Sequence, residues 1–388
     1  MDLVDLARPG VRGGVVRILH VTDHYPPVLG GIEAHVAGLA RRQADRGDDV
    51  VVLTSTPARS DGQHCDDQGA VRVVRVGSPA AGLRFDLSSF DVVHAHVSVV
   101  APFTAPVAAA AARRGVPTIV TVHSMWGGLG PLPGLAAGAW GLRGAPVLWT
   151  AVSRAAAGQL VRQLPAGTSV QVLHNAAAVG AREVTPVDPD GVVHVVSTMR
   201  VARRKRPVPL VHLFDTVRRN VDVPMTLTIV GDGPLRARTE AAAARRGLAS
   251  SVTVTGRLPA DEVAPVLARS DVYVAPAVLE SFGLAVLEAR CVGLPVVGRA
   301  DSGIPEFVRH GQEGLLGATD EELVGHLQHL VESAESRHRI SEHNRTVPTT
   351  MTWETALVRH EAAYTAAVAR SAAPRRVGLR TLRSRSGS

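Results

Sequence analysis

The sequence predicts an α/β chain with two doubly wound parallel sheets. Three observations lead there: apolar strand and helix patterns alternate along the chain, the alternation lapses once near its middle, and it then restarts. At 388 residues the chain exceeds one ordinary compact domain, and 45% hydrophobic with 20% charged residues is a globular composition.

In order, 15–21 is an apolar run suited to a central parallel strand, followed by a loop at 23–31 and a helix at 32–47. Strands follow at 50–53, 71–76 and 91–96. An Ala-rich helix at 105–114 precedes a strand at 118–122, and 147–152 is the sixth strand. Ser153, a favourable N-cap, opens the next helix. Between 176 and 191 the pattern dissolves into Ala-Ala-Ala-Val-Gly and then Thr-Pro-Val-Asp-Pro-Asp-Gly, a linker composition. Strands then recur at 192–197, 225–230, 252–254, 271–275 and 294–297, interleaved with helices at 207–219, 234–246, 260–269 and 283–291. An amphipathic helix over 353–370 carries Leu357 and Tyr364. The expected organisation is a flexible 1–16, a first Rossmann-like domain at 17–180, a linker at 181–191, a second at 192–352, the helix at 353–370 and a tail at 371–388.

Glu280 and Glu288 are the most informative pair. Glu280 falls in a strand-to-helix loop, and Glu288 lies about five residues into the helix, ~7.5 Å along its axis. Between them the first-turn amides of Ser281 to Leu284 face outward with the positive end of the helix dipole, which is a seat for phosphate. Two carboxylates around an anion seat suit a ligand with hydroxyls at both ends and a diphosphate in the middle. A nucleotide-sugar has that form. Standing alone, the pair would read as a dipole-complementing carboxylate and a solvated helix residue.

Two further loops point the same way. Arg200, Arg203, Arg204, Lys205 and Arg206 follow the strand at 192–197, at the carboxyl edge where open α/β sheets bind ligands. Arg203 and Arg204 read as solvated members of that turn. Gly30-Gly31 follows the first strand and lets backbone approach a ligand closely at the start of a helix. Gly231-Asp232-Gly233-Pro234 reads as a structural strand-to-helix turn with proline in the first helical turn. It lacks the third glycine of a dinucleotide fingerprint.

The glutamates seven residues apart with Phe282-Gly283 after the first, the Arg200…Lys205 spacing, and the Gly-Asp-Gly-Pro turn resemble the retaining GT-B-fold glycosyltransferases of family 4. The resemblance runs from Arg17 to Arg370 and implies two Rossmann-like domains facing across a cleft, the last helix crossing back to the first. It implies that Glu280 faces the transferred sugar, that Glu288 holds ribose hydroxyls, that the backbone at Gly283 and Leu284 lies against phosphate, and that Phe282 belongs to the donor-binding set. Arg200 and Lys205 would clasp the leaving diphosphate in place of a metal. Gly31 would meet the donor phosphates from the opposite wall, and His123 would contact the donor sugar. Arg257 and Leu258, after Gly256, would border the nucleobase. The implied reaction moves a hexosyl unit from a nucleoside-diphosphate sugar to an acceptor hydroxyl, with UDP and GDP both open. Rivals are a same-fold epimerase or phosphorylase, and a non-catalytic sugar-nucleotide-binding protein.

Departures from the family pattern are Asn175-Ala176 in place of Asn-Gly, and Asp301-Ser-Gly303 in place of paired glycines. Asp188-Pro-Asp190 spells an Asp-x-Asp motif but reads as a linker turn, so no metal and no cofactor are expected. His94, His96, His174 and His194 read as ordinary polar residues at strand ends. Cys65 and Cys291 suit a reducing cytoplasm. No run reaches the ~18–20 apolar residues of a membrane span, and the N-terminus lacks a signal-peptide pattern. Of the net charge of +7, five positive charges are Arg375, Arg376, Arg380, Arg383 and Arg385, in a tail without acids. It reads first as solubilising, then as an electrostatic hold on anionic lipid. No aromatic-and-basic module accompanies it, so nucleic acid is not an expected partner. The segment 125–149, with Trp126, Trp140 and Trp149, reads first as buried and second as a surface for an apolar or membrane-borne acceptor.

Overall fold

The computed structural model describes residues 15–28, 30–58, 69–125, 138, 141–177 and 191–372. The Asp188-Pro-Asp190 motif, Cys65, Trp126, Trp140 and the basic tail lie outside them. The first sheet comprises β1 (Arg17–Thr22), β2 (Asp49–Thr54), β3 (Val71–Arg75), β4 (Val92–Val97), β5 (Thr118–Val122), β6 (Leu148–Ala151) and β7 (Val170–Val172). Its strands are parallel in the order β3-β2-β1-β4-β5-β6-β7. The second holds β8 (Val193–Thr198), β9 (Met225–Val230), β10 (Val252–Gly256), β11 (Val272–Ala275), β12 (Val296–Arg299) and β13 (Gly314–Gly317). It too is parallel, in the order β10-β9-β8-β11-β12-β13. The order therefore reverses between β1 and β4 in one sheet and between β8 and β11 in the other. These are the switch points at which doubly wound sheets open a crevice at their carboxyl edges.

Sequence periodicity misses β7, β13 and the helices Asp320–Glu332 and Ala334–Thr346. The two strands are three and four residues long, too short for a period to show. The helices did carry legible caps: Thr319 Oγ1 accepts from the Glu322 amide at 3.2 Å, and Ser333 Oγ from the Ser336 amide at 3.1 Å. β12 starts at Val296 rather than 294. Gly293 turns left-handed (φ 93°), and the Leu294 amide bonds back to the Ala289 carbonyl at 3.0 Å, which closes the preceding helix. Pro234 does not stand in a helical turn either, because that helix begins at Arg236 with Leu235 as its N-cap.

The helix Trp353–Ala372 packs on the first sheet, its Ala363, Tyr364 and Ala367 joining Ile18, Val36 and Val50 in one buried cluster. Trp353 stacks on His35 with ring centroids 5.4 Å apart, and Arg42 lies over its ring at 4.3 Å. A second apolar cluster runs across both sheets, from Trp149 and Ala156 to Phe282 and Val286. Trp149 is a core residue of β6 and belongs to no exposed acceptor surface.

Candidate active site

The loop after β11 carries Glu280 into the helix Leu284–Cys291. Gly283 is its N-cap in the left-handed region (φ 92°), a conformation that disfavours any side chain. Beneath it the Gly303 amide donates to the Glu280 carbonyl at 2.8 Å. A Cβ on Gly303 would stand 2.2 Å from the Ser281 carbonyl oxygen, so the 301–303 loop can sit there only as glycine. Phe282 is fully buried, its ring centroid 5.2 Å from Phe307 and 6.1 Å from His174. Its side chain is packing, which leaves only its backbone to meet a ligand.

Lys205 reaches across from the loop after β8, its Nζ 2.5 Å from Glu280 Oε2. The loop is held from the other side. Arg206 adopts a left-handed conformation (φ 58°) and forks both Asp320 carboxylate oxygens at 2.7 Å. Arg299 also pairs with Asp320. The Arg206 hydrogen bond, with Arg299 beside it, draws the Asp320 carboxyl down to about 2. Arg204 is exposed as expected, and in addition donates from Nη2 to the Met125 carbonyl at 2.6 Å, bridging to the first sheet's lobe. Arg203 is exposed as expected.

Arg200 is exposed at the end of β8. The Gly-Asp-Gly turn supports its loop. A Cβ on Gly231 would lie 1.9 Å from the Met199 carbonyl oxygen, and one on Gly233 2.6 Å from that of Val201. These glycines let two backbones touch, in keeping with the structural turn expected of the motif.

His123 follows β5 and meets the same loop from the first lobe: Ser281 Oγ donates to its carbonyl at 2.6 Å. The fold thus brings Lys205 to Glu280 and seats His123 beside Ser281, although these residues come from three different strand ends. Gly31, Arg200 and Arg257 are exposed and stand outside that contact set. Gly31 opens the helix Gly31–Asp45 at the β1 switch point, with nothing within 4 Å of the space its Cβ would fill. Leu258 and Leu284 are half-buried against the shared core. Glu288, fifth in its helix, keeps an exposed side chain, yet the protein packed around its carboxyl pushes it up to about 7.

His94 and His96 are not strand-end residues. They sit within β4, fully buried, beside His20 of β1 in the register His20↔His94. The period-two spacing in Val-Val-His-Ala-His was the available signal, since it sets both rings on one sheet face. His174 pairs with Glu306 at 3.0 Å, and His194 bonds Thr226 at 2.8 Å. Burial lowers His20 and His360 to about 4 and His123 to about 3. It holds His35, His94 and His96 well below the ordinary imidazole range. His20, His94 and His96 are close enough together to ligate a metal ion. Every ring nitrogen of the three is already in a hydrogen bond within the protein, so coordination there would cost those bonds.

Two sequence families match the chain: Glycosyltransferase Family 4 over residues 29–179 and Glycosyl transferases group 1 over 187–347. A GDP-mannose-dependent alpha-(1-6)-phosphatidylinositol monomannoside mannosyltransferase from Mycobacterium tuberculosis is 35% identical over 129 residues, 31% of this chain and 33% of that protein. The matched stretch thus spans about a third of that relative. A glycogen synthase from the same organism is 28% identical over 344 residues, 77% of this chain and 82% of its own. Sucrose-phosphate synthase from Thermosynechococcus elongatus superposes with a TM-score of 0.73 at 18% identity, covering 91% of this chain and 99% of its own. HepE from Anabaena, solved with UDP and glucose, does so with 0.69 at 18% identity, covering 89% and 98%.

Proposed function

We propose that this chain, which belongs to the family 4, group 1 glycosyltransferases with their GT-B architecture of two Rossmann-like units, transfers a hexosyl unit from a nucleoside-diphosphate sugar to an acceptor hydroxyl with retention. One observation carries the reading: the Lys205–Glu280 pair stands at a glycine-opened helix mouth, beside His123 of the other lobe. In this reading the diphosphate lies against the amides of Gly283 and Leu284, where the helix dipole favours negative charge. Lys205 and Arg200 stabilise that charge as the glycosidic bond breaks. Fixed cations and amides act most strongly where charge develops, which makes this the largest catalytic contribution. Glu280 aligns Lys205 and faces the sugar, and Glu288 accepts from the ribose hydroxyls. The acceptor hydroxyl attacks on the face the diphosphate leaves, and its proton passes to a leaving-group oxygen. With two cations and the helix amides to absorb the diphosphate charge, we propose a metal-independent reaction.

The test measures nucleoside diphosphate released from UDP- and GDP-sugars in the presence of candidate acceptor alcohols. Release should depend on acceptor and persist in chelator. Glu280→Gln should abolish transfer with nucleotide binding kept, whereas Glu288→Gln should weaken nucleotide binding. Turnover lost in chelator and regained with magnesium would overturn the metal-free reaction, and equal loss of nucleotide binding in both variants would overturn the division of roles.

A further inference from the structure

Beneath His123 a continuous line of hydrogen bonds crosses the first sheet and touches the last helix, and its direction can be worked out proton by proton. It starts at Thr150 on β6, whose Oγ1 donates to the Val120 carbonyl at 3.3 Å. A hydroxyl has one proton, and a carbonyl only accepts. With the Thr150 proton on that carbonyl, Thr121 Oγ1, 2.6 Å from Thr150 Oγ1, is the donor of that pair. His94 Nε2, 2.7 Å from Thr121 Oγ1, must then carry a proton and donate it. A neutral imidazole has one N–H, which leaves His94 Nδ1 to accept from the Tyr364 hydroxyl at 3.2 Å.

The Tyr364 oxygen in turn accepts from Gln43 Nε2 at 2.8 Å. That orientation points Gln43 Oε1 at His20 Nε2, 2.7 Å away, which donates. His20 Nδ1 then accepts from His96 Nε2 at 2.9 Å, and His96 Nδ1 accepts from His123 Nε2 at 3.0 Å. The line ends at His123 Nδ1, which is buried and has no partner in the protein. With the Gln43 amide and the Thr150 hydroxyl so oriented, His123 carries its proton on Nε2 and leaves Nδ1 to accept. Turning the Gln43 amide over would reverse every proton from Tyr364 to His123 and make that nitrogen a donor. The bond from Thr150 to a backbone carbonyl opposes the reversal.

Resting on the proposed transferase reading, we propose that this directed line makes His123 Nδ1 a permanent acceptor that takes a substrate hydroxyl, with Gln43, Tyr364 and Thr150 as positioning residues remote from the substrate. A buried acceptor without a partner is costly, and a ligand O–H placed against it relieves that cost. Burial keeps all four imidazoles below their ordinary range, so each carries a single ring proton at neutral pH, as the line requires.

Two-bond ¹⁵N–¹H spectra of the full-length protein labelled with ¹⁵N-histidine test this without any substrate. Expected are His20, His94, His96 and His123 all in the Nε2–H form. Tyr364→Phe and Thr150→Val each remove one hydroxyl at nearly constant volume and should add a second, Nδ1–H population at His123. With an active donor–acceptor pair, kcat should fall on the order of tenfold, the worth of one hydrogen bond, while nucleoside-diphosphate affinity is unchanged. His123 found as Nδ1–H or imidazolium in the unaltered protein would overturn the proposal. So would both variants keeping a pure Nε2–H spectrum, or zinc displacing the ring protons of His20, His94 and His96. Absence of transferase activity alongside the expected spectra would instead strike the functional reading and leave the line intact.

Discussion

At the scale of single residues, the site depends on two carboxylates in different surroundings. Glu280 is nearly enclosed, with a side chain 12% exposed and in contact with Lys205, whereas Glu288 stands open on its helix with a carboxyl near 7. A carboxylate accepts from two ribose hydroxyls better than its acid does. Nucleoside-diphosphate affinity should therefore rise as pH climbs from 6 to 8, when Glu288 loses its proton. In Glu288→Gln that rise should disappear, as titration calorimetry across the range can show; an unchanged slope would remove Glu288 from the binding site. Lys205 supplies charge to the leaving diphosphate, so Lys205→Ala should cost on the order of 10²-fold in kcat. Lys205→Arg should retain more, by keeping charge while losing the point geometry. A kcat within twofold of the original in Lys205→Ala would place the stabilising charge elsewhere.

At the scale of elements, one face of the β1–β4–β5 sheet is polar where a parallel sheet is usually apolar. His20, His94, His96, His123, His35 and His360 are all buried there or against it. Their folded values lie below the unfolded value near 6.5, so the fold favours the uncharged form. The sign follows: stability is fully present above pH ~6.5, and it declines on acidification as the unfolded chain takes up protons that the fold refuses. The loss runs from pH ~6.5 down to about 4 for His20 and His360 and about 3 for His123. Each imidazole adds at most ~1.4 kcal/mol per pH unit within its window. Urea midpoints should fall steeply between pH 6.5 and 4.5, well above the range in which Asp320 would protonate. A flat profile there would mean that these rings are hydrated or already charged.

At the scale of the molecule, the two lobes are tied by polar contacts as well as by their shared apolar cluster. Glu306 of the second lobe accepts from the Arg154 amide at 2.6 Å and from His174 Nε2 at 3.0 Å; Arg359 of the last helix donates to His174 Nδ1 at 2.5 Å. Burial works to raise the Glu306 carboxyl, but the bonds from His174 and Arg154 outweigh it and hold it low. Glu306→Ala should cost about 1.5–3 kcal/mol, the range for hydrogen bonds to a charged group. The lobes should then melt in two calorimetric steps instead of one. A single unshifted transition would show that the apolar contact alone couples them.

The sequence by itself determined the alternation, the parallel sheets, the strand-end loops that carry Glu280, Arg200, Lys205 and Gly31, and the helix that carries Glu288. Apolar runs of five or six residues between helical periods leave few other architectures, and ligand loops follow strand ends in such sheets. It could not determine which of five neighbouring cations reaches Glu280, that Arg204 bonds Met125, or that Arg206 is taken by Asp320, 114 residues away. Nor could it show that two histidines on β4 join one on β1, a tyrosine on the last helix and a threonine on β6 in one hydrogen-bonded line. Local pattern records which face a side chain takes along its own element. Which elements share that face, and which proton lies between two rings, is decided only when strands distant in sequence are laid side by side.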